Sequence, residues 1–252
     1  MLLSFSVSNF CSIKDKITLS LLPVKSFKEL PNNIIDIEGK IKTLRSAVIY
    51  GANASGKSNV LKALTGFIEF IQNSANHKLN EKIKLYDPFL LDKKSEYLPS
   101  KFELEFIVDG IRYMYNVEVN AKSVLAEKLF YYPKGQKKKI FIRTDVSSFD
   151  YGTVLKGEKK SVENRLLNNQ LYLSKGANEK LEELTDVYRY LSQINVSYNF
   201  ILGSIEHLTK GVLIGSMLKD EGEEMIKKFE SIITTLDFGI VSIEIRKTSE
   251  PK

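Results

Sequence analysis

The clearest pattern in the chain is an alternation of apolar and other residues over positions 102–119, interrupted once by Asp109-Gly110. Such alternation places every second side chain on one face of a β-strand. Asp-Gly favours a two-residue turn, because both central residues of that turn need a positive φ. We therefore predict a β-hairpin. The side chains of its inner face are Phe102, Leu104, Phe106, Val108, Ile111, Tyr113, Tyr115, Val117 and Val119.

Six further segments precede this hairpin. Residues 1–7 and 17–21 alternate and predict two strands, whereas residues 22–42 contain breakers and are interpreted as a connecting segment. Residues 47–50 form a short apolar run, which is typical of a buried central strand. A glycine-containing loop follows, and then apolar residues recur at helical spacing. The predicted helix face comprises Val60, Leu61, Leu64, Phe67, Ile68 and Ile71.

The rest of the chain divides into a strand-rich and a helical part. Strands are predicted near residues 129–132 and 140–143, with an exposed turn between them, so that residues 101–144 form an antiparallel meander. After residue 161 the spacing becomes helical, and a final alternating strand is predicted at 241–245. We therefore predict two domains, residues 1–160 and residues 161–252. The helical faces comprise Leu181, Leu184, Tyr188 and Leu191, then Met225, Phe229, Ile232, Ile233 and Leu236.

The loop after the short apolar run carries the most specific chemical signal. It reads Gly51-Ala52-Asn53-Ala54-Ser55-Gly56-Lys57-Ser58, followed by Asn59, and it fits the pattern G-x-x-x-x-G-K-[ST] without a mismatch. In this Walker A motif, or P-loop, the backbone amides and a helix N-terminus cradle phosphates. Lys57 would reach the β- and γ-phosphates of ATP, and the Ser58 hydroxyl would bind Mg²⁺. The flanking strand and helix patterns argue against a glycine-rich turn without a ligand.

Hydrolysis also needs an acidic residue at a strand end to help hold Mg²⁺, and a group that positions water. No apolar strand of this sequence ends in Asp-Glu. Asp109 is better explained by the hairpin turn, and Asp237 lies in a helical pattern. Residues 173–176, Leu-Ser-Lys-Gly, lack the second glycine of an ABC-type signature, and we interpret them as a helix end with a glycine cap. The catalytic residues are therefore unknown from the sequence.

Composition and charge exclude some classes of protein and site, but they do not identify a reaction. The 252 residues are 43% hydrophobic, and no apolar run is long enough to span a membrane. The single cysteine, Cys11, excludes an internal disulfide, and His77 and His207 have no metal-ligand spacing. Cys11 has no basic neighbour closer than Lys14 and is interpreted as a small packed residue. A cytoplasmic location is the default expectation. The net charge of +6 permits nucleic-acid contact but does not argue for it.

The order of these elements resembles the N-terminal half of bacterial AAA-family, ABC-like P-loop ATPases of the abortive-infection, anti-phage type. The resemblance rests chiefly on residues 46–59, with pattern-level support from Asn9-Phe10, Asp87-Pro88-Phe89 and residues 102–119, 127–133 and 171–174. It implies an α/β fold, an ABC-type ATPase lobe with a mixed sheet, an antiparallel meander and a helical region. It also implies ATP hydrolysis with Mg²⁺, and a homodimer or partner subunit that completes the site. A toxin or nuclease partner is a further expectation.

Two departures from that family leave alternatives open. Cys11 stands where the family often has an arginine near the nucleotide, so that contact does not carry over. The family's signature segment, acidic strand and switch histidine are not found before Lys252, and we expect a longer, split or truncated protein. The chain could be an ATPase half, a nucleotide-sensing module that does not hydrolyse ATP, or a DNA-binding or scaffold protein. For the lysines of residues 134–139, a solvated turn is favoured over a phosphate contact.

Overall fold

The computed structural model describes residues 1–24, 30–37, 39, 41–53, 55–145, 148–195, 227 and 231. The chain divides into two compact units, Met1–Tyr198 and Asn199–Lys252. The helix and strand predicted within residues 225–245 lie outside the described residues, apart from two single positions, and so do His207 and Asp237.

Nine strands and four helices are present in the described part of the first unit. The strands are β1 (Leu2–Ser8), β2 (Ile17–Ser20), β3 (Ile34–Ile37), β4 (Ile41–Leu44), β5 (Ser100–Val108), β6 (Ile111–Val119), β7 (Val124–Tyr131), β8 (Lys138–Arg143) and β9 (Phe149–Tyr151). The helices are α1 (Lys57–Asn73), α2 (Lys159–Asn164), α3 (Tyr172–Asn178) and α4 (Glu182–Ser192). None of these described helices is long and apolar enough to cross a membrane.

Seven strands form one sheet in the order β2-β1-β5-β6-β7-β8-β9, and neighbouring strands are antiparallel throughout. The predicted hairpin is confirmed, since Val108 pairs with Ile111 across Asp109 (φ 47°) and Gly110 (φ 73°). Positive φ at both residues is what the Asp-Gly signal requires. The strands predicted near residues 129–132 and 140–143 are also confirmed, as β7 and β8. The meander is therefore correct, and the chain is α/β.

Helix α1 covers one face of this sheet. Its apolar side chains repeat at helical spacing, and Phe67 stacks between Phe102 of β5 and Tyr115 of β6, with ring centroids 5.2 and 5.9 Å away. Leu61, which we placed on this face, is instead exposed. The buried residues of α1 are Val60, Ala63, Leu64, Phe67, Ile68, Phe70 and Ile71.

The prediction of a buried strand at residues 47–50 is wrong for this structure. These residues have no strand assignment, and Val48 and Tyr50 are 84% and 91% exposed. An apolar run is buried as a strand only where neighbouring strands supply both ladders. No such pairing of residues 47–50 occurs among the described residues.

The segment interpreted as a connector contains part of a hairpin. Strands β3 and β4 pair antiparallel from Ile34↔Leu44 to Ile37↔Ile41. The Asp36 carboxylate accepts a 2.8 Å hydrogen bond from the Gly39 amide, and Gly39 has φ +68°. The two β-branched runs outweigh the upstream breakers, because this local turn holds them in register.

Residues 173–176 do not end a helix, which corrects the glycine-cap interpretation. Gly176 lies inside α3, and a Cβ built there would be 2.6 Å from Cδ1 of Leu184. The glycine is needed because α3 and α4 approach closely, not because the chain reverses there.

A buried ion pair between β7 and β8 lies against the start of α3. Glu127 and Arg143 are both fully buried, and Arg143 Nη1 lies 3.8 Å from Glu127 Oε2. The Tyr115 hydroxyl donates to the same carboxylate at 2.8 Å, as do the amides of Tyr172 and Leu173 at 2.7 and 2.9 Å. Burial raises the pKa of Glu127, and Arg143 opposes that shift. We assign Glu127 as the ionised carboxylate, because each of these polar contacts comes from a hydrogen-bond donor or a positive charge.

Candidate functional site

The loop with the P-loop pattern leads directly into α1. Gly56 is the residue before the helix and has φ 88°, so that the chain turns there in a conformation that favours glycine. Helix α1 then runs for 17 residues, and no side chain caps its first turn. The first amides of a helix have no partner within the helix. The loop therefore ends at a set of backbone donors and at the positive end of the helix dipole.

Lys57, the first residue of α1, folds back over the loop. Its ammonium group donates to the carbonyl oxygens of Gly51 and Ala52, each at 2.7 Å. Gly51 has φ 154°. A Cβ added to Gly51 would lie 3.2 Å from the Ser55 hydroxyl oxygen. The loop is thus closed tightly around the ammonium group of Lys57. The Ser58 side chain is exposed beside the loop.

The turn between β1 and β2 forms one side of this loop. Asn59 Nδ2 donates a 2.7 Å hydrogen bond to the Ser12 hydroxyl oxygen. A Cβ at Gly56 would lie 2.9 Å from the same oxygen. Gly56 is therefore required for two reasons, its positive φ and the close approach of Ser12. Sequence reasoning missed Ser12, because a residue separation of 47 leaves no local signal.

One helical turn further along α1, three polar groups meet. The Cys11 thiol donates to Asp87 Oδ2 at 3.0 Å, and Lys62 Nζ lies 3.0 Å from Asp87 Oδ2 and 3.2 Å from Cys11 Sγ. Burial, followed by the hydrogen bond to Asp87, raises the pKa of Cys11 from 9.0 to about 11. The same contacts lower the pKa of Asp87, the hydrogen bond from Cys11 most of all. Cys11 is half-buried against the core, but it does have a basic neighbour, supplied by α1.

Asn9 fixes the loop that carries Asp87. Its side-chain oxygen accepts from the Phe89 amide at 3.0 Å, and its amide nitrogen donates to the carbonyls of Ser95 and Leu98 at 2.9 and 2.8 Å. The Cys11 amide adds a 2.6 Å bond to the Asp87 carbonyl. These bonds hold the Asn9-Phe10 and Asp87-Pro88-Phe89 segments against each other.

The structure brings together most of the residues predicted for the site, and Ala54 lies outside the described residues. Asp109 occupies the tip of the β5–β6 turn, as expected from the hairpin pattern. Within the described residues, no group of three or more His, Cys, Asp or Glu side chains could hold a metal ion. Ser58 is the residue placed in the first turn of α1 where the pattern expects a Mg²⁺ ligand.

Comparison with known proteins identifies the family. A family model described as "AAA domain, putative AbiEii toxin, Type IV TA system" matches residues 46–175, more than half of the chain. The chain belongs to this AAA-domain family. The matched span of the AAA domain begins just before the loop and ends within α3, so that it includes α1 and strands β5 to β9. The family supports a nucleotide-binding ATPase of the abortive-infection, toxin–antitoxin context. A search of curated proteins finds no match.

Proposed function

We propose that residues 51–59 bind the phosphates of ATP and that the Ser58 hydroxyl is a ligand of the accompanying Mg²⁺. The observation that carries this proposal is the position of Lys57, whose ammonium group spans the loop beside the uncapped N-terminus of α1. Two kinds of donor lie side by side there, namely the lysine and the helix amides. Together they suit a chain of phosphate oxygens better than a single carboxylate.

The donor set also fits the metal that accompanies ATP. Mg²⁺ favours hard oxygen ligands and is commonly held by one or two protein oxygens together with substrate phosphates. The exposed Ser58 hydroxyl can supply one such oxygen. When bound, Mg²⁺ neutralises part of the phosphate charge. Lys57 would exchange its carbonyl contacts for phosphate oxygens, while Ser12 and Asn59 would keep the loop in place.

We further propose that a second surface closes the site in the cell. Residues 47–53 are exposed, so that the loop and the segment before it lie open to solvent. A homodimer or a partner subunit, such as a toxin or nuclease encoded with this ATPase, would fit the abortive-infection context of the family. Light scattering with and without MgATP would test for the homodimer. If the homodimer forms around the nucleotide, the molecular mass should rise when MgATP is added.

Titration calorimetry with MgATP tests the phosphate site. We expect the Lys57→Ala variant to bind at least about tenfold more weakly, because a charge-assisted contact contributes roughly 1.5–3 kcal/mol. Lys82→Ala is the matched control, since Lys82 is exposed and lies outside the loop. Equal affinities for wild type and Lys57→Ala would remove the loop from the proposal.

A further inference from the structure

The turn between β7 and β8 carries three exposed lysines, Lys134, Lys137 and Lys138, here called the lysine tip. The turn has a defined backbone. Gln136 donates its amide to the Pro133 carbonyl at 3.3 Å, and the Tyr132 amide donates to the Arg112 carbonyl at 2.9 Å. Lys134 has φ 55°, a conformation that a lysine seldom adopts. The lysine tip is therefore held at a fixed end of the meander.

Aromatic and sulfur groups lie beneath the lysine tip. Lys137 Nζ lies 4.1 Å from the centroid of the Phe130 ring and 3.7 Å from Met114 Sδ. The Arg112 guanidinium stacks over Tyr132 at 4.7 Å. A cation over an aromatic face is held there by the ring quadrupole. The aromatic side chains thus restrict the positions of one lysine of the tip, Lys137, and of the neighbouring Arg112.

The lysine tip differs in charge balance from most of the sheet's outer face. Elsewhere on that face four basic groups, though not Lys128, have carboxylate partners among the described residues. These pairs are Lys16–Glu103 at 3.0 Å, Lys101–Glu118 at 3.1 Å and Arg112–Glu105 at 2.6 Å, together with Lys139–Asp150. The three lysines of the tip form no salt bridge with any described residue. Three uncompensated positive charges therefore lie within five consecutive positions.

We propose that the lysine tip is a docking surface for a nucleic-acid strand, which it contacts through the phosphates and without sequence preference. Five residues span at most about 14 Å, a length that matches a short run of phosphates. The rings of Phe130 and Tyr132 border the cations and can pack against sugars or bases. From sequence alone a solvated turn is favoured; the fixed backbone, the aromatic contacts and the missing counter-charges change that balance.

Fluorescence anisotropy with a labelled oligonucleotide of mixed sequence tests this surface in the full chain. The triple variant Lys134→Glu, Lys137→Glu, Lys138→Glu should lose about tenfold or more in affinity at low salt. For this variant, the slope of log K against log salt concentration should become shallower by about 2. Each phosphate contact of a single strand contributes roughly 0.7 to that slope, and three lysines are removed. Changing the base sequence should have little effect on wild-type binding.

The control is Lys82→Glu, Lys84→Glu, Lys122→Glu, which makes the same change of net charge at exposed lysines away from the tip. The proposal is overturned if the two triple variants bind alike, or if wild type does not bind the oligonucleotide. It is also overturned if a poly-glutamate peptide competes as well as unlabelled oligonucleotide, because the surface would then suit an acidic protein. Circular dichroism and MgATP titration of both variants establish that fold and nucleotide binding are intact.

Discussion

The Glu127 carboxylate, on β7, accepts a 2.7 Å hydrogen bond from the amide of Tyr172, the first residue of α3. It also accepts from the next amide of the helix, at Leu173. A strand residue thus caps a helix 45 positions later in the chain. Because Arg143 lies buried beside it, the carboxylate has two roles, one for the helix N-terminus and one for the guanidinium.

We expect Glu127→Ala to destabilise the protein by about 3–5 kcal/mol, because removing one partner of a buried pair leaves the Arg143 charge uncompensated. Urea unfolding followed by circular dichroism measures this free energy. Glu118→Ala is the control. Glu118 pairs with Lys101 on the outer face, where both are partly exposed, and an exposed pair contributes about 0–1 kcal/mol. Similar losses for the two variants would contradict the assigned role of Glu127.

Gly176→Ala should destabilise the contact between α3 and α4. The added methyl would lie 2.6 Å from Leu184 Cδ1, which is inside van der Waals distance, and overpacking of a core costs about 1–3 kcal/mol. The second substitution Leu184→Ala should then cost less in the Gly176→Ala background than in wild type. Gly66→Ala serves as control, because its methyl would lie 3.2 Å from Leu85 Cδ1 and alanine favours the helix. A double-mutant cycle on unfolding free energies gives the coupling.

Ser58→Ala should weaken nucleotide binding mainly when Mg²⁺ is present. The variant loses the hydroxyl that we propose as a metal ligand but keeps Lys57 and the loop amides. Calorimetric titration with ATP, in Mg²⁺ and then in excess EDTA, separates the two contributions. Ser148→Ala, at an exposed serine outside residues 51–59, is the matched control. Equal weakening of Ser58→Ala with and without Mg²⁺ would count against metal ligation.

The Cys11 thiol should react slowly with Ellman's reagent. A pKa of about 11 leaves about one thiol in a thousand ionised at pH 8, and the rate should rise with pH because the thiolate is the nucleophile. Asp87→Asn removes a carboxylate that raises this pKa, so its rate at pH 8 should be higher. Asp186→Asn, on α4, should react like wild type. Cys11 is the chain's only cysteine, so the reaction reports on this site alone.

The sequence predicted those elements whose signals are local. Asp109-Gly110 marks its hairpin because the turn and both strands lie within 20 residues, and the P-loop pattern places Lys57 at the start of α1 for the same reason. Residues 47–50 failed as a strand because strand burial depends on partners elsewhere in the chain. The apolar composition of a run does not specify which strands will flank it.

Side chains that act across long separations were also missed. Ser12 contacts Asn59, Glu127 caps α3, and Lys62 reaches Cys11, yet each pair is at least 45 residues apart. Gly176 was misread for a related reason. A glycine that ends a helix and a glycine that allows two helices to approach look alike in sequence, and only the position of Leu184 distinguishes them.

We expect the 252-residue chain, purified alone, to bind ATP and to hydrolyse it at or near the background rate. Binding needs chiefly the loop, the helix amides and Mg²⁺. Hydrolysis also needs a positioned water and stabilisation of the charge that develops in the transition state, effects that change rates by orders of magnitude. In the described part of the chain, Asp87 contacts α1 but is already held by Lys62 and Cys11.

Phosphate release would be measured over a range of protein concentrations for wild type and Lys57→Ala, with Lys82→Ala as control. We expect equal, low rates for all three. A steady wild-type rate that Lys57→Ala abolishes would show that these residues include a catalytic group, and Asp87→Asn and Asp109→Asn would then locate it. A rate that rises more steeply than protein concentration would instead indicate a site shared between two copies, because only an assembled site would turn over. The dependence on concentration therefore distinguishes a missed residue from a missing partner.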